Sequence, residues 1–185
     1  MVDRGAPALG RFGDVDGAAW QRAVDLLYCS AVRVIRSALP GLSVKGGSVL
    51  VCSSTSVREP IEGLILSNSL RSATVAMAKT LSLELAPKGI RVNCLAPGRF
   101  GTGRVDHLDQ ATADRNGTTL EAARAKATAA IPLGRYGDPD EFGTAACWMV
   151  SPAASYMTGQ IVTLDGGQVK ATDRKSTRLN SSHRI

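Results

Sequence analysis

Apolar positions along the chain change spacing in a regular order. From Asp16 to Leu39, Trp20, Ala23, Val24, Leu27, Ala31, Val34, Ile35 and Ala38 recur at three- and four-residue intervals, which gives a helix one apolar face. Asp16 is placed to cap its first turn, and Pro40-Gly41 are expected to end it. Ser48 to Cys52, SVLVC, is a short β-branched apolar run that suits a strand buried on both faces of a parallel sheet. After turn residues at Pro60 and Gly63, Leu70, Ala73, Met77, Leu81 and Leu85 predict a helix from about Ser67 to Leu85, stopped at Pro87 to Gly89. Ile90 to Ala96, IRVNCLA, reads as a second strand closed by Pro97-Gly98.

From Arg99 to Tyr136 the pattern is polar and irregular, with one helix predicted over Thr119 to Ala130. A segment of that length often covers a site, so residues 99–136 are expected to form a lid. Asp138 as cap and Pro139 as first residue open a helix through Val150, and Ile161 to Leu164 makes a third strand before Asp165-Gly166-Gly167. This order predicts an α/β fold: the C-terminal half of a doubly wound, Rossmann-type parallel sheet with flanking helices. No G-x-G-x-x-G occurs, so the first, nucleotide-binding half is expected to be missing. The strand Ser48 to Cys52 is then expected to show an exposed apolar edge.

The composition, 44% hydrophobic and 21% charged, is that of a globular protein. No run approaches about 20 apolar residues, and MVDRGAPALG lacks the layout of a secretory signal, so a cytoplasmic location with no membrane partner is expected. The net charge of +6 concentrates at one end: residues 173–185 hold four basic residues and one acidic, leaving +3 elsewhere. With no basic cluster among aromatics, no nucleic-acid partner is expected. The tail itself, DRKSTRLNSSHRI, resembles a sequencing-adapter oligonucleotide translated codon by codon. Residues 173–185 are therefore set apart as non-native and residues 1–172 taken as the domain. Cys29, Cys52, Cys94 and Cys147 form no C-x-x-C and have no neighbouring histidine, so no metal site is expected and all four are read as reduced core thiols.

Four stretches together resemble the short-chain dehydrogenase/reductase family, its 3-oxoacyl-(acyl-carrier-protein) reductase-like branch above all: GGSVLVCSS, LAPKGIRVNCLAPG, IPLGRYGDPDEF and SYMTGQIVTLDGG. The resemblance runs from Gly5 to about Ala171. It implies three further strand-helix units and a fourth strand before RGAPALGRF, roughly 90 residues at about 30 per βαβ step, so Met1 is expected to be an internal codon.

The family's tyrosine gives a proton to the substrate carbonyl oxygen while a lysine four residues on, one helical turn away, lowers the phenol's pKa and holds the cofactor ribose. A serine orients the carbonyl, and a helix asparagine secures a relay water. Matched position by position, the serine is Ser54, the tyrosine position is Ser67, the lysine position is Arg71 and the asparagine falls on Leu27. None of Tyr28, Tyr136 and Tyr156 is followed four residues later by lysine, so no shift of register restores the pair. A serine hydroxyl is a far weaker acid than a phenol, and arginine does not pass a proton on. Its guanidinium does offer five donors in a fixed fork, suited to ribose hydroxyls or a carbonyl oxygen. Ser67 also fits an N-cap. Pro97, Gly98 and Thr102 match the family's contacts to the nicotinamide cofactor, and Asn93 matches a strand-supporting position.

The resemblance implies an oxidoreductase that uses NAD or NADP on a small carbonyl or alcohol substrate through Ser54, Ser67 and Arg71, working as a homodimer or homotetramer. The chain as it stands is expected to be inactive, for want of the glycine-rich turn. The alternative is a pseudoenzyme that keeps the fold as a dimerising or ligand-binding scaffold, with the helices Asp16 to Leu39 and Ser67 to Leu85 as its interface.

Overall fold

The computed structural model describes residues 7–171; the adapter-like tail at 173–185 lies outside the described residues. Three strands, β1 (Gly47–Cys52), β2 (Ile90–Pro97) and β3 (Ile161–Leu164), form one parallel sheet in the order β1-β2-β3. Val49 pairs with Val92 and Leu95 with Val162, so the strands end together at one edge of the sheet. Successive side chains of a strand alternate between faces. Val49, Val51, Ile90, Val92 and Cys94 accordingly enter one core with Ile35, Val75, Ala78 and Leu85. Among the described residues β1 is an edge strand whose Val49 and Leu50 are only half-buried, as its apolar edge led one to expect.

The helices that build this core are α1 (Gly17–Ala23), α2 (Ser30–Lys45) and α3 (Ile65–Leu85). Asp16 caps α1 as expected, its carboxylate accepting from the Ala19 N–H at 2.7 Å. The single helix expected over residues 16–39 is interrupted, however, by a π-helical turn at Val24–Cys29. Two side chains enter its carbonyl ladder: Ser30 Oγ donates to the Leu26 oxygen, and Thr74 Oγ1 of α3 donates to the Leu27 oxygen at 3.2 Å. Such an inserted donor is a recognised cause of a local change in winding.

The expected stop at Pro40-Gly41 is also overturned, because α2 continues through Pro40 to Lys45. Leu39 and Leu42 pack on the core, and Pro40 is exposed, which leaves the carbonyl it cannot pair on the solvent side. The helix ends instead at Gly46. Its φ of 75° favours glycine, and a Cβ there would lie 2.7 Å from the Gly89 oxygen.

The segment 99–136 is more ordered than its polarity suggests. It holds two helices packed on each other, α4 (Gly103–Asn116) and α5 (Leu120–Ala129), where one was expected. The residues α4 buries are Val105, Asp109 and Ala113, a stripe with a carboxylate in its middle. α6 (Pro139–Val150) starts as read, with Asp138 and Glu141 forming a reciprocal capping box. Arg91, on the sheet face opposite the first core, donates to the carbonyls of Met149, Val150, Ser151 and Met157 and so closes the end of α6.

The cysteines correct the expectation of four core thiols. All are free, but only Cys94 is buried; Cys29 is half-buried, and Cys52 and Cys147 are exposed at a strand end and on α6. An apolar run does not say which side of its element faces water. Burial pushes the Cys94 thiol up to about 11, so a maleimide at neutral pH is expected to modify Cys147 first and Cys94 only on unfolding, as mass spectrometry of the labelled chain will show. Leu66, fully buried against Ala19 and Ala23, should lose about 2–5 kcal/mol of stability on truncation to alanine, measured by urea unfolding.

Candidate active site

Ser54, Pro97, Gly98 and Thr102 lie at the carboxyl ends of β1 and β2 or on the segments that leave them, the edge where open parallel sheets bind ligands. Ser53 and Ser54 follow β1, Pro97 ends β2, and α3 returns past the same edge with Ser67 and Arg71 one turn apart. Arg71 is the hub. Its Nε donates to Ser67 Oγ at 3.1 Å, and its Nη1 donates to the Ser53 and Cys52 carbonyls at 3.0 and 3.4 Å. Among the described residues no carboxylate pairs with it. Burial pulls its pKa down, the neighbouring Cys52 opposes that pull, and Arg104 adds to it. It remains a cation at any working pH.

Ser67 is 8% exposed and is the third residue of α3, whose cap is Leu64. The reading of Ser67 as an N-cap is thus corrected: its oxygen accepts from Arg71 and not from a backbone N–H of the first turn. The helix starts two residues earlier because Leu64 is fixed by a bridge to Gly10. Ser54 has extended backbone and caps a short 3-10 turn, accepting from the Ser56 N–H at 3.2 Å. Each hydroxyl oxygen therefore accepts from a protein donor, and each hydroxyl retains a proton of its own. Leu27 lies in the π-helical turn and supplies only its carbonyl, to Thr74.

Pro97 and Gly98 are half-buried, and the Gly98 N–H donates to the Leu164 oxygen at 2.9 Å, which extends the β2–β3 pairing. A Cβ on Gly98 would stand 2.6 Å from that of Asp165. The glycine is accounted for by the packing of two strand ends. Thr102 is the residue before α4; it is exposed, and its hydroxyl donates to the Phe100 oxygen at 3.3 Å. Arg71, Ser67 and Ser54 are thus brought together, with Pro97, Gly98 and Thr102 on the adjoining segment. The Ser54 and Ser67 hydroxyls and the remaining Arg71 nitrogen are hydrogen-bond donors, the group type that ribose hydroxyls or a carbonyl oxygen accept from. Asn93, 1% exposed, supports the strand as expected, donating to Met157 and accepting from the Gln160 N–H.

Cavities of about 220 Å³ beside Val75, Lys79 and Cys94 and about 480 Å³ beside Ala19, Arg22 and Leu26 are lined by none of these site residues. Among the described residues no cluster of His, Cys, Asp or Glu could hold a metal ion, and no helix is long and apolar enough to cross a membrane. The sequence reading missed Asp109, whose carboxylate takes the Arg99 guanidinium at 2.5 Å and the Tyr136 hydroxyl at 2.8 Å. Burial and the hydrogen bond to Asp109 push the Tyr136 hydroxyl up, so it stays a proton donor. The signal was an acid at the centre of the four-residue spacing Val105, Asp109, Ala113.

A family profile described as Enoyl-(Acyl carrier protein) reductase matches residues 4–168. The chain belongs to the short-chain dehydrogenase/reductase family. It is 32% identical over 168 residues to an uncharacterized oxidoreductase, YmfI, of Bacillus subtilis, covering 90% of this chain and 65% of that protein. L-sorbose reductase from Gluconobacter frateurii, solved with NADPH and L-sorbose, superposes with a TM-score of 0.83 at 25% identity, over 91% of this chain and 65% of that one. A short chain oxidoreductase from Pseudomonas aeruginosa, solved with NADPH and described as containing an atypical catalytic center, gives 0.77 at 26%, over 91% and 64%. The chain therefore spans just under two thirds of each of these relatives.

Replacing Arg71 by methionine removes the donor that joins α3 to the end of β1. The expected cost is about 1–3 kcal/mol in urea unfolding, with Arg71→Lys recovering only part, since an ammonium cannot fork between Ser67 and Ser53.

Proposed function

We propose that these residues form the substrate- and nicotinamide-facing part of an oxidoreductase that interconverts a small carbonyl compound and its alcohol with NAD or NADP, 3-oxoacyl reductase-like in type. The observation that carries this reading is the fixed Arg71 guanidinium, held between Ser67 and the Ser53 carbonyl beside Ser54, at the carboxyl ends of the strands. The bound cofactor supplies or takes up the hydride. Ser54 and Ser67 donate their O–H groups to the substrate oxygen, and Arg71, through its remaining nitrogen and its charge, stabilises the negative charge that oxygen develops. Burial strengthens that electrostatic contribution. Pro97, Gly98 and Thr102 face the nicotinamide end of the cofactor, and the segment 99–136 closes over it as a lid.

With no phenol in the site, the proton reaches the oxygen from solvent, and the chemical step is slow for the family. The relative with an atypical catalytic center and bound NADPH supports the view that cofactor binding tolerates departures from the usual residues. A second reading, a scaffold that dimerises or binds a ligand without turnover, draws on Val34 and Val44 of α2 and Leu83 of α3, all more than half exposed. Those faces suit a homodimer or homotetramer on either reading.

The 185-residue chain alone is expected to show no micromolar affinity for reduced cofactor in a fluorescence titration, because no G-x-G-x-x-G supplies phosphate contacts. In a protein extended to the length of its relatives, cofactor binding and turnover on a carbonyl panel are expected. There Arg71→Ala should lower kcat by about 10²-fold, the usual scale for losing one donor to a developing oxyanion. An unchanged rate would remove Arg71 from the chemistry, and tight cofactor binding without turnover would favour the scaffold.

A further inference from the structure

Asp109 is the one buried charged side chain among the described residues, at 1% exposed. Its Oδ1 accepts from Arg99 at 2.5 Å and its Oδ2 from the Tyr136 hydroxyl at 2.8 Å, while the Arg124 Nε lies 3.7 Å from Oδ2. These partners come from three places: Arg99 directly follows Gly98, Arg124 belongs to α5, and Tyr136 precedes α6. Arg124 also reaches Asp106 at 2.5 Å, so two carboxylates of α4 face two arginines. Burying a carboxylate costs several kcal/mol before its partners offset it, and an apolar residue in the Val105–Ala113 stripe would pack there without that cost. What the carboxylate adds is geometry, because it accepts only in fixed directions from groups on separate segments.

The segment it grips is the one that leaves β2 for Thr102. Backbone bonds already pair that segment with the approach to α6: the Gly137 N–H donates to the Arg99 oxygen and the Gly101 N–H to the Gly137 oxygen, both at 2.9 Å. Phe100 is buried between them, edge-on to Phe142 with ring centres 5.7 Å apart. This pairing is a single isolated bridge, too short to hold its register unaided.

We propose that Asp109 is a positioning residue of the site: through Arg99 and Tyr136 its carboxylate latches the Pro97–Thr102 segment to the α4–α5 pair. It thereby sets where Pro97, Gly98 and Thr102 stand relative to Arg71 and Ser54. The functional part of this inference rests on the reading of that segment as cofactor-facing, but the latch can be measured without cofactor.

The test is amide hydrogen exchange by NMR on the 185-residue chain and its Asp109→Asn and Tyr136→Phe variants. The latch predicts exchange at Gly101 and Gly137 about tenfold faster in Asp109→Asn and a few-fold faster in Tyr136→Phe, with Val92 and Cys94 in the central strand unchanged. Unchanged rates at Gly101 and Gly137 would overturn it. So would parallel acceleration at Val92 and Cys94, which marks a general loss of stability with no local role. If Asp109→Asn does not fold, Tyr136→Phe decides by the same two comparisons. NADPH titration of the extended protein tests the cofactor reading separately, so either idea can fail alone.

Discussion

The central strand, β2, is the constraint to which the other elements answer. Six of its eight residues are buried, and it pairs with a strand on each side. A strand in that position must satisfy its backbone laterally and present apolar side chains to helices above and below. Its two polar interior residues are turned to use. Arg91 gathers four carbonyls at the end of α6 and the loop beyond it, and Asn93 accepts and donates along the approach to β3. The sheet, the last helix and the loop between them are thereby fixed to one another, which gives the strand ends a defined edge on which a site can be built.

On that edge, Arg71 ties α3 to the end of β1. Its Nε and Nη1 are committed to Ser67 and to the end of β1, so the guanidinium cannot swing freely and its charge arrives already oriented. Pre-orientation of a charge is the form of electrostatic help that needs no rearrangement as the reaction proceeds. Where the family pattern has a tyrosine and a lysine, Ser67 and Arg71 supply hydrogen-bond donors and no titratable phenol.

Much of the fold was legible because strand and helix periods survive in short windows: β3 begins and ends where its apolar run does, and the Asp138-Pro139 start of α6 holds to the residue. The departures share a cause, which is a tertiary contact that no window contains. Pro40 stays inside α2 because Leu42 beyond it has a core to enter. The π turn at Leu27 answers to Thr74, 47 positions away. α4 was hidden because the centre of its buried face is Asp109, an acid made tolerable only by Arg99 and Tyr136. In the candidate site, the structure brings Ser67 and Arg71 into contact, as their one-turn spacing allows. That Ser67 is a partner of Arg71 and not a cap depended on where Leu64 is held.

Gly98 carries an implication for how sequences of this kind can drift. Its missing side chain is where Asp165 sits, while Asp165 itself accepts from the Gly167 and Val169 N–H groups and so closes its own turn. The constraint is one-sided: a side chain at position 98 would prise apart the ends of β2 and β3, whereas a change at 165 meets no clash with the bare glycine and loses only the turn that the carboxylate closes. By contrast Gly103, with open space around it, is free to accumulate side chains. Tolerance along this edge is thus set residue by residue, by whether the space a new Cβ would take is already filled.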